Sequence, residues 1–186
     1  MRFFRILGLT FGFLLIASCS TPRKISYKSS DHHKRVRVAK TNTKAKTRVR
    51  AKSESNTKTV HKEADNVLKA AHGFLGTPYK YGGVTRSGLD CSGLVINSYN
   101  AAGIQMPRMS KEQANAGREI KLKDVREGDL VFFITSGSNI NHVGIVDRVD
   151  KGEVFFIHSS TSKGVIVSSL EETYWNRRFV KATRVL

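Results

Sequence analysis

Apolar positions follow three different patterns along the chain. From Ile6 to Ile16 they are nearly continuous, interrupted only by Gly8, Thr10 and Gly12. From Ser20 to His61 almost none are bulky, and Ile25 and Tyr27 are the only sizeable ones. From Lys62 onward the pattern becomes periodic. Val67, Ala71, Phe74 and Leu75 form one stripe of an amphipathic helix over 62–75, which Gly76-Thr77-Pro78 ends. Positions 91, 94, 95, 98, 99 and 102 repeat at helical spacing from Cys91 to a stop at Gly103. Ser110-Lys111-Glu112-Gln113 has the capping-box pattern and predicts a short helix toward Ala116.

The period then changes. Gly128–Ile134 and His142–Val146 are continuous apolar runs of strand length, and Glu153–His158 is a third. Asp150-Lys151-Gly152 supplies the turn between the second and third, which predicts a hairpin. Val165–Val167 and Phe179–Val185 read as further strands. A second capping box, Ser169-Leu170-Glu171-Glu172, opens a helix toward Trp175. Helices first and mainly antiparallel strands afterwards predict an α+β fold, with the N-terminal helices packed on the sheet. The 125 residues of 62–186 suffice for one core.

Charge divides the chain at the same place. The 186 residues carry a formal net charge of +17, which suggests anionic partners. Residues 20–61 alone hold 13 Lys/Arg and 2 Asp/Glu, however, so the segment from Lys62 is only mildly basic. Residues 20–61 cannot bury enough apolar surface to offset ordering entropy, and we expect a disordered basic tether. A solvated spacer and a contact with anionic lipid or wall polymer both fit its charge. Nucleic acid is not expected as a partner, because the N-terminus directs export.

Arg2 and Arg5 precede the apolar run of Ile6–Ile16, which is too short to span a bilayer. Ile16-Ala17-Ser18-Cys19 then matches a bacterial lipobox. Residues 1–18 would be a cleaved signal peptide, and Cys19 would carry the lipid. Two or more acyl chains, including a palmitate, anchor a protein stably at a membrane. The predicted domains are therefore 1–18, 19–61 and 62–186. Ser20 rather than Asp follows Cys19, so a Gram-negative host would favour the outer membrane, facing the periplasm.

Chemistry concentrates around Asp90-Cys91-Ser92-Gly93. A thiol in the first turn of a helix feels the positive end of the helix dipole, which favours thiolate. A structural cysteine is the plain alternative. His142 begins one strand of the hairpin and His158 ends the other, so the two lie roughly level if the turn is centred near Gly152. One imidazole could then orient the other. Cys91, His142 and His158 could also form a Cys-His-His zinc site, although no CxxC or HxxxH pair supports it. No cofactor or metal is expected.

The segment from about His61 resembles the NlpC-type cysteine peptidases, bacterial cell-wall hydrolases with a reduced papain-like fold. The resemblance rests on Gly76-Thr77-Pro78-Tyr79-Lys80-Tyr81-Gly82-Gly83, Leu89-Asp90-Cys91-Ser92-Gly93-Leu94-Val95 and Pro107-Arg108-Met109-Ser110-Lys111-Glu112-Gln113. It continues through Glu127-Gly128-Asp129-Leu130-Val131-Phe132-Phe133, His142-Val143-Gly144-Ile145 and Ile157-His158-Ser159-Ser160, in family order. It implies Cys91 as nucleophile, His142 as base and His158 as the residue that orients His142. It implies oxyanion donors in the Cys91 N–H and the Tyr79 hydroxyl. Asp90, with help from Ser110, would bind the free amine of a substrate peptide.

The implied protein is a monomeric, lipid-anchored endopeptidase acting on peptidoglycan stem peptides or their cross-links. A non-catalytic peptidoglycan-binding module and an amidase or acyltransferase are the alternatives on the same fold. Relatives that cut after D-glutamate often carry an SH3-like domain that shapes the amine subsite, and no such segment is visible in this sequence. The bond cleaved and the diamino acid are left open.

Overall fold

The computed structural model describes residues 59–186. The predicted signal peptide, the predicted lipidation site Cys19 and nearly all of the predicted tether lie outside the described residues. Helix α1 covers residues 59–72, so 59–61 are helical rather than the end of a tether. Its stripe faces inward as predicted at Val67, Ala71 and Phe74, whereas Leu75 lies past the last turn and is exposed. His72 closes the helix. Its Nε2 meets Asp147 Oδ1 at 2.7 Å.

Two short strands follow, β1 (Val84–Thr85) and β2 (Gly88–Leu89), paired across a tight turn. Helix α2 (Cys91–Asn100) begins directly after them. Its buried face contains Cys91, Leu94, Val95, Ser98 and Tyr99, the predicted spacing. Gly103 takes φ of 77° where the helix stops, a conformation that costs glycine little. Helix α3 (Ser110–Gln113) is a single turn, and its N-cap is Met109 without a side-chain bond. Ser110 therefore does not cap the helix, and its capping-box pattern is not used.

The sheet has six antiparallel strands in the order β3-β8-β4-β5-β6-β7. They are β3 (Arg118–Ile120), β4 (Leu130–Phe133), β5 (His142–Asp150), β6 (Glu153–Ser160), β7 (Gly164–Ser169) and β8 (Phe179–Arg184). β3 carries only one buried residue, Ile120, too little for a recognisable pattern. The one-turn helix α4 (Thr173–Asn176) connects β7 to β8. The second capping box forms in a variant way ahead of it. Glu172 Oε1 accepts from the Ser169 N–H at 2.9 Å, and Ser169 Oγ accepts from the Glu171 N–H at 3.0 Å.

Each face of the sheet has its own core. Leu94, Val95 and Tyr99 of α2 pack with Leu130, Phe132, Val143, Ile145 and Ile157. On the other face Val131, Phe133, Val146 and Phe156 pack with Leu170 and Trp175. Alternation along each strand produces the two faces, because every second residue points the same way.

The hairpin of β5 and β6 turns at Lys151 and Gly152, whose φ of 50° and 92° suit a two-residue hairpin loop. The register corrects the simple expectation that His142 and His158 are level. Uninterrupted pairing from Asp150↔Glu153 would set the two histidines on opposite faces. A bulge between Val146 and Arg148 shifts the register by one residue, so that Ile145 pairs with Ile157. Gly144 then falls opposite His158, and His142 lies diagonally beyond it on the same face. The bulged residue, Asp147, is buried and holds both His72 and Arg148.

Gly164, at the start of β7, has φ of 70°, and a Cβ there would meet the Thr77 carbonyl oxygen at 2.3 Å. Gly164→Ala is expected to cost ~2 kcal/mol or more through strain and backbone collision. Urea denaturation would read this as a lower midpoint at unchanged slope.

Candidate active site

Asp90 is the N-cap of α2, and the sequence explains why the helix starts there. Its extended backbone (φ −89°, ψ 175°) lets the carboxylate turn back to accept from the Gly93 N–H at 2.6 Å. The same carboxylate accepts from the Gly82 N–H at 3.0 Å and from Ser92 Oγ at 3.1 Å. Arg108 completes the set with a two-pronged bond, one nitrogen to each carboxylate oxygen, and also donates to Ser92 Oγ at 2.7 Å. Burial opposes the charge on Asp90, yet Arg108 and the Gly93 N–H together hold its carboxyl below the usual range. Asp90 thus ties together the Tyr79–Gly83 turn, the helix start and the Arg108 loop.

Cys91 takes the first position of this helix. Its Sγ lies 4.0 Å from the carbonyl oxygen of Asn141, the residue before His142. Burial pushes the thiol up to about 11, against the opposing pull of N–H groups of Val143, Ser92 and Cys91 itself. The helix-start position alone predicted the reverse direction. Desolvation outweighs the dipole here because only 8% of Cys91 is exposed.

His142 Nε2 lies 3.0 Å from His158 Nδ1, and His158 Nε2 lies 3.2 Å from Ser168 Oγ. The indole of Trp175 stacks on His142 with centroids 5.1 Å apart and planes 21° from parallel. It also meets His158 edge-on at 4.6 Å. Burial lowers His142 to about 4, and burial with the neighbouring His142 lowers His158 to about 3. Neutral thiol and neutral imidazole are therefore the resting forms at pH 7. The contact with His158 uses Nε2 of His142 and not Nδ1.

Tyr79 is half-buried on the bridge to Leu89. Burial raises its hydroxyl, and so does the negative charge available at Cys91 and Asp90. Ser110 is half-buried and its hydroxyl is not used as a helix cap. Among the described residues no group of three or more His, Cys, Asp or Glu is arranged to hold a metal ion. The contact between His142 and His158 uses one nitrogen of each ring.

Sequence reasoning missed Trp175, Ser168 and the pairing of Arg108 with Asp90. The chain's only tryptophan was a visible signal, since a buried indole usually has a specific neighbour. Nothing local marked Ser168.

The model of the NlpC/P60 family matches residues 76–184. The chain belongs to the NlpC/P60 family. It is 45% identical over 133 residues to the "Probable endopeptidase NlpC" of Escherichia coli K12, covering 70% of this chain and 82% of that one. It is 43% identical over 112 residues to the E. coli K12 "Murein DD-endopeptidase MepS/Murein LD-carboxypeptidase", covering 60% and 57% of the two chains. A solved NLP/P60 family structure from Staphylococcus aureus, described as similar to lipoprotein, superposes with a TM-score of 0.59 at 30% identity. That match covers 67% of this chain and 42% of the other. The family fixes the fold as papain-like and the class as cysteine peptidase, a hydrolase.

The buried neutral histidines predict a stability change with pH. The unfolded chain protonates near pH 6.5, whereas the folded His142 protonates only near 4. Between these values the unfolded state binds more protons, so stability falls as pH is lowered from about 6.5 to about 4. His142 alone accounts for a loss on the order of 3 kcal/mol. Chemical denaturation at a series of pH values would measure it, and His158→Asn should flatten the slope.

Proposed function

We propose that the chain is a cysteine endopeptidase that hydrolyses peptide bonds in peptidoglycan, with Cys91 as nucleophile and His142 as general base. The carrying observation is the buried sulfur at a helix start beside the strand that begins with His142, whose ring is held by His158 and covered by Trp175. The E. coli relative named as a murein DD-endopeptidase supports the substrate class.

Burial disfavours either charge alone, so the proton passes from Sγ to His142 Nδ1 as the thiolate forms, and the two charges stabilise one another. The thiolate attacks the carbonyl carbon of the substrate. The N–H groups at the first turn of α2 have no partner within the helix, so the Cys91 N–H would turn to hold the oxyanion, with the Tyr79 hydroxyl as the second donor. His142 Nδ1–H then protonates the leaving amine, and a thioester remains on Cys91. His142 next takes a proton from water. The resulting hydroxide releases the acid, and the proton returns to sulfur.

The engaged carboxylate of Asp90 favours a particular substrate. It accepts five hydrogen bonds, so capture of a peptide amine by Asp90 would have to displace Arg108. A cross-link between stem peptides needs no free amine at that point. We therefore favour cross-link cleavage over removal of an N-terminal dipeptide, with the Ser110 hydroxyl contacting the peptide. Lipidation of Cys19 at the lipobox would hold this monomeric domain at the cell envelope, with the following basic segment as tether.

Digestion of purified peptidoglycan by the full-length chain, read by mass spectrometry, tests the reading. Cross-linked dimers should convert to monomers, and Cys91→Ser should slow conversion by at least about 10³-fold. Intact dimers with the wild-type chain would overturn it. N-acetylation of free amines on soluble muropeptides should change the rate by less than about twofold, since no charge pair with Asp90 is lost.

A further inference from the structure

His158 carries a second polar contact that the proposed chemistry leaves unused. It has no exposed surface, and its Nε2 faces Ser168 Oγ on β7 at 3.2 Å. Ser168 is buried on the same sheet face, opposite Phe156. Its hydroxyl has no other hydrogen-bond partner among the described residues.

Proton bookkeeping gives this contact a direction. Before reaction, His142 must present an unprotonated Nδ1 to the thiol, so its proton sits on Nε2. That N–H donates to His158 Nδ1, which must then be the unprotonated nitrogen of His158. The remaining proton of His158 is on Nε2 and needs an acceptor inside an apolar enclosure of Phe156 and Trp175. Ser168 Oγ is that acceptor. When the S–H bond breaks and the Nδ1–H bond of His142 forms, the same alignment remains, and the new positive charge points along His158 toward the serine oxygen. The reversed alignment protonates His142 on Nδ1 at rest and blocks proton transfer from sulfur.

We propose that Ser168 is a positioning residue that holds His158 in the Nε2–H tautomer and thereby keeps His142 competent as a base. This rests on the reading of Cys91 and His142 as nucleophile and base. Without the hydroxyl, the productive alignment leaves a buried N–H unpaired and the reversed one leaves only a bare ring nitrogen, so the loss falls more heavily on the productive alignment and appears in turnover.

The test compares the full-length wild-type chain with Ser168→Ala and Ser168→Thr. Nitrogen-15 NMR of the histidine rings should find His158 protonated on Nε2 in the wild type and in Ser168→Thr. In Ser168→Ala a detectable share should move to Nδ1. On soluble muropeptides, Ser168→Ala should lower kcat about tenfold with KM unchanged, and Ser168→Thr should restore it, as expected for one buried hydrogen bond. The same His158 tautomer in the wild type and Ser168→Ala would overturn the inference, and so would an unaltered kcat. Because the NMR readout needs no turnover, an inactive wild-type chain would overturn the functional reading alone and leave the tautomer result to decide this one.

Discussion

The bulge at Asp147 is the constraint on which the candidate site depends. A two-residue turn at Lys151 and Gly152 fixes the parity of the hairpin, and regular pairing would separate His142 from His158 by the thickness of the sheet. One extra residue restores them to a common face. The cost of a bulge is an unpaired stretch of ladder, here near a buried carboxylate. His72 from α1 and Arg148 supply the partners for that carboxylate. The first helix of the domain therefore supports the histidine pair through a residue that takes no part in the chemistry.

Asp90 is the corresponding fixture on the thiol side. Its carboxylate joins backbone N–H groups from two segments to the Arg108 guanidinium, so the helix start, the Tyr79 turn and the Arg108 loop are positioned together. Five accepted hydrogen bonds explain how an acid with only 6% exposure remains ionised. Between the two fixtures, burial keeps the thiol and imidazole neutral. In the proposed reaction charge develops as a pair, inside an enclosure where opposite charges attract strongly. Trp175 contributes by covering both rings and excluding water from them.

How much of this could be read from the sequence follows from the range of each interaction. The helix from Cys91 was legible because its apolar stripe and its stop at Gly103 are both local. The hairpin was legible for the same reason, and so was the α+β order of elements. The alignment of its two histidines was inferred by counting from the turn, and the bulge that makes them meet leaves no local mark. Arg108, Ser168 and Trp175 escaped because each acts on a partner 10 or more residues away, which periodicity cannot reveal. The direction of the Cys91 shift failed on sequence alone because burial is a tertiary quantity, and here it exceeds the helix-start effect.

In the proposed reaction the Cys91 sulfur becomes covalently bound to the stem peptide during turnover. Rapid acid quenching of the full-length chain with cross-linked muropeptides, followed by intact and peptide-level mass spectrometry, tests this directly. A transient thioester is expected, with an added mass equal to the acyl part of the stem peptide and carried by the fragment containing Cys91. Turnover with water-derived products and no adduct at any quench time, or an adduct on another residue, would contradict it.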